Sequence, residues 1–240
     1  MSYQNFLRKT RTIIPKDRLL DSPAERLAHG VDASFYRLIP KLVVKAETEE
    51  QVKSLILTAA EEGVPLTFRT AGTSLSGQAV SDSVLVKLGH DWKGFKLEDN
   101  GQRISLQPGV IGSWANRLLK PHGRKIGPDP ASIDSAMIGG IVANNASGMC
   151  CGTAQNSYKT LAGMRLVLAD GSTLDSRDGK SCESFRQSHQ QLLSSLTDIR
   201  NEILTDVDLH AMIERKYKIK NTCGYGLNSF TDFEGLKVDL

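Results

Sequence analysis

Apolar positions along the chain switch between two spacings, and each switch marks an element. Residues 1–40 are polar, contain Pro15, Pro23 and Pro40, and show only short helical patterns, which predicts an N-terminal arm laid over the domain. Within residues 41–45 the run Leu42-Val43-Val44 predicts a buried strand. Thr48 followed by Gln51 has the spacing of a capping box, and Val52, Leu55, Ile56 and Ala59 then recur at helical intervals until Gly63. Strands are predicted over 65–69 and 84–88. Segments 95–97 and 103–107 flank the turn Asp99-Asn100-Gly101.

The second half continues in the same manner. A helix is predicted from Ser113, then a loop through Pro121, Pro128 and Pro130, then a helix of small residues over 135–143. Residues 164–168 and 172–174 flank Ala169-Asp170-Gly171 as a hairpin, and 182–215 reads as helical and solvated. No internal repeat appears. Strand, helix, strand followed by hairpins and helices gives an α+β fold.

Composition narrows the field. Forty per cent hydrophobic and 24% charged residues are those of a globular chain with a real core. The net charge of +3 is small and spread along the sequence, so nothing supports nucleic-acid binding. No window approaches the roughly 18 apolar residues of a membrane span, and the start is too polar for a signal peptide, which predicts a cytoplasmic protein. Cys150, Cys151, Cys182 and Cys223 lack metal or scaffold spacing and are expected as reduced thiols, the adjacent pair packed together. His29, His90, His122, His189 and His210 share no ligand spacing, so no metal site is expected.

Candidate chemistry lies in two glycine-rich segments. Residues 69–78, Arg69-Thr70-Ala71-Gly72-Thr73-Ser74-Leu75-Ser76-Gly77-Gln78, leave a predicted strand directly. Their small side chains let consecutive N–H groups face one concavity, and Arg69 offers a forked contact to a pyrophosphate. Gly72 to Gly77 has the outer spacing of a nucleotide triphosphatase loop, but Gln78-Ala79 stands where Lys then Ser or Thr is needed. The Rossmann pattern is absent too, so the phosphate ligand belongs to another nucleotide fold. The second segment runs from Ile138-Gly139-Gly140 to Asn144-Asn145-Ala146-Ser147-Gly148. Glycines inside a helical stretch cost about 1 kcal/mol each, which calls for close approach by a ligand or another backbone. Asn144, Asn145 and Ser147 supply neutral donors and acceptors suited to a heterocycle.

The ordered motifs P-K-L-V-V-K-A, R-T-A-G-T-S-L-S-G-Q-A, Q-P-G-V, G-P-D-P-A-S, I-G-G-I-V-A-N-N-A-S-G and L-V-L-A-D-G-S resemble the FAD-binding domain of the vanillyl-alcohol oxidase, or PCMH, type. Within that group the chain is most similar to the D-lactate, glycolate and D-2-hydroxyglutarate dehydrogenases, from about Asp32 onward. The resemblance implies two α+β subdomains clasping FAD, the first over 41–110 and the second, incomplete, over 111–240. It implies that Arg69, Thr70, Ala71, Gly72, Thr73, Ser74 and Gly77 wrap the pyrophosphate, with the amides of Ala71, Gly72 and Thr73 as main donors and Gln78 following. Pro128, Asp129 and Pro130 would line the flavin approach, Ile138 and Gly139 would pack on the cofactor, and Asn144, Ser147 and Gly148 would lie near the isoalloxazine. The first loop has no histidine, so FAD is expected to be noncovalent.

The stretch 218–228, K-I-K-N-T-C-G-Y-G-L-N, resembles the family's approach to a substrate domain, either as a turn marked by Gly224 and Gly226 or as a flavin contact. The family's following G-S-E-G-T-L strand and its substrate domain with catalytic base are not in the sequence, so the chain is expected to be an N-terminal part. The implied activity is oxidation of a D-2-hydroxy acid such as D-lactate by hydride transfer to flavin. Electrons would pass to a quinone, a cytochrome or an iron-sulfur protein, in the cytoplasm or at the periphery of the inner membrane. Two alternatives remain open here: a non-catalytic FAD-binding module dependent on another chain, and a flavin reductase of the cell-wall precursor type.

Overall fold

A computed structural model describes residues 2–221 and 225–230. Helix α1 (Tyr3–Ile13) and strand β1 (Leu19–Leu20) come first, then α2 (Pro23–Ala28), β2 (Leu42–Lys45), α3 (Glu49–Glu62), β3 (Leu66–Arg69) and β4 (Val84–Lys87). The four strands form one sheet in the order β1-β2-β4-β3, with β2, β4 and β3 parallel and β1 antiparallel at the edge. Parallel strands need both faces covered, which explains the runs Leu42-Val43-Val44 of β2 and Val84-Leu85-Val86 of β4, whereas the edge strand β3 is only partly buried. Leu42, Val44, Val84 and Val86 pack against Val52, Leu55 and Ala59 of α3. Val43 and Leu85 pack against Leu20 on the opposite face.

The N-terminal segment contributes more than a surface layer. Phe6 of α1 and Ile14 after it belong to the same core as α3. Helix α3 begins at Thr48, whose hydroxyl accepts from the Gln51 amide at 3.2 Å, and ends at Gly63 with φ +65°. The expected capping box is displaced by one residue, because the Gln51 side chain accepts from the amide of Glu47 at 2.8 Å instead of from that of Thr48.

Strands β5 (Phe95–Glu98) and β6 (Arg103–Leu106) form a hairpin, and β7 (Arg165–Val167) and β8 (Thr173–Asp175) form another. Between them lie α4 (Gly112–Leu119), α5 (Ile138–Ala143) and α6 (Ser157–Thr160). Helix α5 starts later than its composition suggests. Met137 is held extended by a bridge to Ile111, while Gly112 donates to the Ala136 carbonyl, so residues 136–137 are unavailable to the helix. The last helical region breaks at His189 and Asp206 into α7 (Gly179–Ser188), α8 (Gln190–Thr205) and α9 (Val207–Tyr217). No described helix is long and apolar enough to cross a membrane.

Candidate functional site: a phosphate cradle beside a small-residue helix

Loop 70–78 leaves the C-terminal end of β3, the edge at which parallel sheets present ligand sites. Gly72 and Gly77 have φ of +77° and +71°, in the left-handed region that favours glycine. Among the described residues the amides of Ala71, Gly72 and Thr73 have no acceptor. Three successive unsatisfied donors around a left-handed glycine make an anion-binding nest. Other loop groups brace one another: Ser74 Oγ donates to Gln78 Oε1 at 2.6 Å and accepts from the Ser76 amide at 3.1 Å.

Arg69 turns part of its guanidinium into the protein. Its Nη1 donates to the Val31 carbonyl at 2.7 Å, and a Cβ on Gly72 would lie only 2.4 Å from its Nε. The guanidinium therefore props the loop from beneath, with a buried Nε that has no partner. Burial lowers its pKa, against the field of Asp32, which raises it.

A strap formed by residues 29–37 completes this support and was not anticipated from sequence. Ala33 donates to the Gly72 carbonyl at 3.1 Å, the Asp32 carboxylate accepts from the Ala79 amide at 3.4 Å, and the Tyr36 ring leaves no room for a Cβ on Gly77. The one local signal was Asp32-Ala33-Ser34, where the Ser34 amide donates to Asp32 Oδ1 at 2.8 Å as an Asx turn.

The second glycine-rich segment meets the loop directly. A Cβ on Gly139 would stand 3.0 Å from the Thr70 methyl and 2.8 Å from Pro108, and one on Gly140 would stand 3.1 Å from Thr70 Oγ1. The start of α5, with Ile138 and Gly139, thus lies against Thr70. At the far end, a Cβ on Gly148 would fall 1.7 Å from the Asp129 carbonyl oxygen. Asp129 and Gly148 consequently meet backbone to backbone. The glycines in this segment are required by other parts of the chain.

Two of the expected polar groups behave differently. The Ser147 hydroxyl is 4% exposed and has no partner, the state of a group awaiting a ligand or water. Asn144 is partly spent, since its Nδ2 caps α5 by donating to the Gly140 carbonyl at 3.0 Å. Ser157, another residue not singled out beforehand, has its hydroxyl 3.0 and 2.9 Å from the carbonyls of Ile141 and Ala146, sharing one hydrogen between them, and its amide donates to Ala146 at 3.0 Å, so it braces the turn after α5.

The adjacent cysteines do not pack as a pair. Cys150 faces solvent, whereas buried Cys151 accepts from the Gly148 amide at 2.8 Å. Among the described residues no cluster of three His, Cys, Asp or Glu could hold a metal. Thr222, Cys223 and Gly224 of the 218–228 stretch lie outside the described residues. The Tyr217 hydroxyl donates to the Tyr225 carbonyl at 2.8 Å. An apolar cleft of about 360 Å³ between α3, β3 and β7, lined by Ile56, Phe68 and Leu168 among others, contains none of the expected cofactor residues.

An unsatisfied amide nest, a buried unpartnered serine and a helix of small residues pressed on the nest fit a nucleotide cofactor. Residues 40–177, more than half of the chain, match the family described as FAD binding domain, and the chain belongs to that family. It is 33% identical over 150 residues to the glycolate oxidase subunit GlcD of Escherichia coli (strain K12), covering 61% of this chain and 30% of that protein. It is 24% identical over 214 residues to a D-2-hydroxyglutarate dehydrogenase of Haemophilus influenzae, covering 82% of this chain and 21% of the relative. The chain thus spans less than a third of the length of these relatives. In fold it resembles alkyldihydroxyacetonephosphate synthase, with a TM-score of 0.62 at 21% identity over 73% of this chain and 36% of the other. It also resembles p-cresol methylhydroxylase, with a TM-score of 0.61 at 17% identity over 72% and 35%. The expected PCMH-type α+β fold and FAD as cofactor follow from these matches.

Proposed function

We propose that this chain is the FAD-holding part of a flavin-dependent dehydrogenase that oxidises a D-2-hydroxy acid, with D-lactate, glycolate and D-2-hydroxyglutarate as the candidate substrates. The observation that carries the reading is the nest of Ala71, Gly72 and Thr73, whose amides have no protein acceptor. The names of the two relatives support the substrate class.

In this reading the three amides, with the hydroxyls of Thr70 and Thr73, hold the pyrophosphate, while Arg69, Ser74, Gly77 and Gln78 keep the loop in shape. Ile138 and Gly139 pack along the cofactor. Pro128, Asp129, Asn144, Ser147 and Gly148 form the flavin end, where the buried Ser147 hydroxyl donates to a ring heteroatom. Bound flavin supplies hydride acceptance from the α-carbon of the acid. With no histidine between Arg69 and Gln78, the loop offers no site for the covalent link to FAD and holds it by hydrogen bonds. The acceptor of the electrons is a quinone, a cytochrome or an iron-sulfur protein.

Gly72→Val tests the loop assignment. It forces a β-branched residue to φ +77° and places its Cβ within 2.6 Å of the Arg69 guanidinium. FAD affinity should fall at least tenfold, about 1.4 kcal/mol. Unchanged affinity in a folded variant would contradict the assignment. For the substrate, the protein carrying this domain at its natural length, loaded with FAD, should reduce an artificial dye with achiral glycolate or with the D and not the L form of lactate or 2-hydroxyglutarate. Reduction specific to the L forms would overturn that part.

A further inference from the structure

Lys45, Lys87 and Arg69 occupy matched positions at the C-terminal ends of β2, β4 and β3, with Lys45 paired to Lys87 and Lys87 to Arg69 in the parallel register. Side chains at paired positions project from the same face of a sheet, and neighbouring strands are about 4.8 Å apart. Three like charges in such a row repel one another. Among the described residues no carboxylate lies within ion-pair distance of any of the three. Two carboxylates act on the ends of the row from beyond ion-pair distance, Asp32 on Arg69 and Glu25 on Lys45.

Lys87 is half-buried in this row, and burial is the leading cause of its lowered pKa, followed by the fields of Arg69 and Lys45. His29 faces it, with Nε2 at 3.3 Å from the Lys87 Nζ. The His29 Nδ1 lies 2.8 Å from the Glu25 carbonyl, which can only accept, so Nδ1 carries the proton and Nε2 accepts from the ammonium. Burial lowers the His29 pKa. One N–H of Lys87 is therefore used and two remain. A half-buried ammonium without a counter-charge is costly to the free protein and is stabilised by a bound anion.

The row ends at Arg69, and the nest starts at the next residues. Arg69 turns Nη1 to the Val31 carbonyl and lies under Gly72, so one full charge already sits beneath the amide dipoles of the cradle, and Lys87, next to Arg69 in the row, sets a second beside it. We infer that Lys87, oriented by His29 and reinforced by Lys45, is the second charge of the phosphate site and binds the diphosphate that the amide nest cradles. The inference rests on the proposed FAD reading for the identity of the ligand, but the anion chemistry stands on the row itself.

Lys87→Met removes the charge and keeps the length of the side chain. In the variant the ligand-free protein should melt at or above the temperature of the unaltered protein, while FAD affinity falls at least tenfold. Inorganic pyrophosphate should raise the melting temperature of the unaltered protein and compete with FAD, and should do neither with Lys87→Met. Lys45→Met should give the same pattern with a smaller loss, which keeps the test decisive if the first variant is unstable. Pyrophosphate stabilisation that depends on Lys87 in a protein that does not bind FAD would support the anion site and reject the flavin reading alone. FAD and pyrophosphate binding insensitive to both substitutions would overturn the inference.

Discussion

Gly148→Ala adds one methyl group where the structure leaves no space for it. The new Cβ would lie 1.7 Å from the carbonyl oxygen of Asp129 and 2.4 Å from its carbonyl carbon, both backbone atoms. Real Cβ contacts are essentially never under 3.0 Å, so the two chains must part by about 1.3 Å. Overpacking costs about 1–3 kcal/mol, and a clash with backbone rather than a rotatable side chain belongs at the upper end. At roughly 2–4 °C per kcal/mol for a chain of this size, the melting temperature should drop by about 6–12 °C. Because the parted strands carry Pro128, Asp129 and Ser147, FAD affinity should fall as well. Gly179→Ala, at the first residue of α7 with nothing within 4 Å of the added group, serves as control. It should be neutral or stabilising by up to about 1 kcal/mol. A Gly148→Ala protein that melts within about 1 °C of the unaltered protein would refute the backbone packing described for the flavin end.

Ser157→Ala should destabilise by about 0.5–1.5 kcal/mol in urea titration, since it removes a buried hydroxyl whose one hydrogen is shared between the Ile141 and Ala146 carbonyls, which keep their backbone donors; an unchanged midpoint would show that the turn after α5 is fixed by other contacts. Asp170 is held at a pKa of about 2, first by the hydroxyl and amide of Ser172 and then by His189. Its folded pKa lies below its unfolded value near 3.9, so its contribution is present above pH ~4 and is lost as pH falls toward 2. The carboxylate is 57% exposed, and solvent screening reduces that contribution to under about 1 kcal/mol. Asp170→Asn should flatten this part of the stability profile between pH 4 and 2, and an identical profile would contradict the assignment.

What the sequence made legible follows from how local each cause is. Strands β2, β3 and β4 and helix α3 are encoded by apolar spacing, the Thr48 cap and Gly63, all within a few residues of the elements they define. The two hairpins were equally readable, because Asn100-Gly101 and Asp170-Gly171 carry their turns. The nest was legible as a run of small residues leaving a strand. The contact of Arg69 with the Val31 carbonyl was not legible, because that partner lies 38 residues earlier and a carbonyl carries no sequence signature. The late start of α5 escaped for a similar reason, since the pairing of Met137 with Ile111 outweighs the weak helical preference of the small residues before it. Close approach was read for Gly139 and Gly140, whereas the tightest approach, of Gly148 to Asp129, shows only in the fold. In α1 the inward residues Phe6, Thr10 and Ile14 are diluted by polar neighbours, and so the segment read as a surface arm.

The central claim is that this chain holds FAD noncovalently on the Ala71-Gly72-Thr73 nest. The most direct measurement is a titration of the ligand-free protein with FAD, followed by desalting and acid precipitation. The account predicts saturable binding of one equivalent, displaced by inorganic pyrophosphate and not by riboflavin at equal concentration, with the yellow chromophore released into the supernatant. Flavin remaining in the precipitate, or no saturable binding by a folded protein, would contradict it.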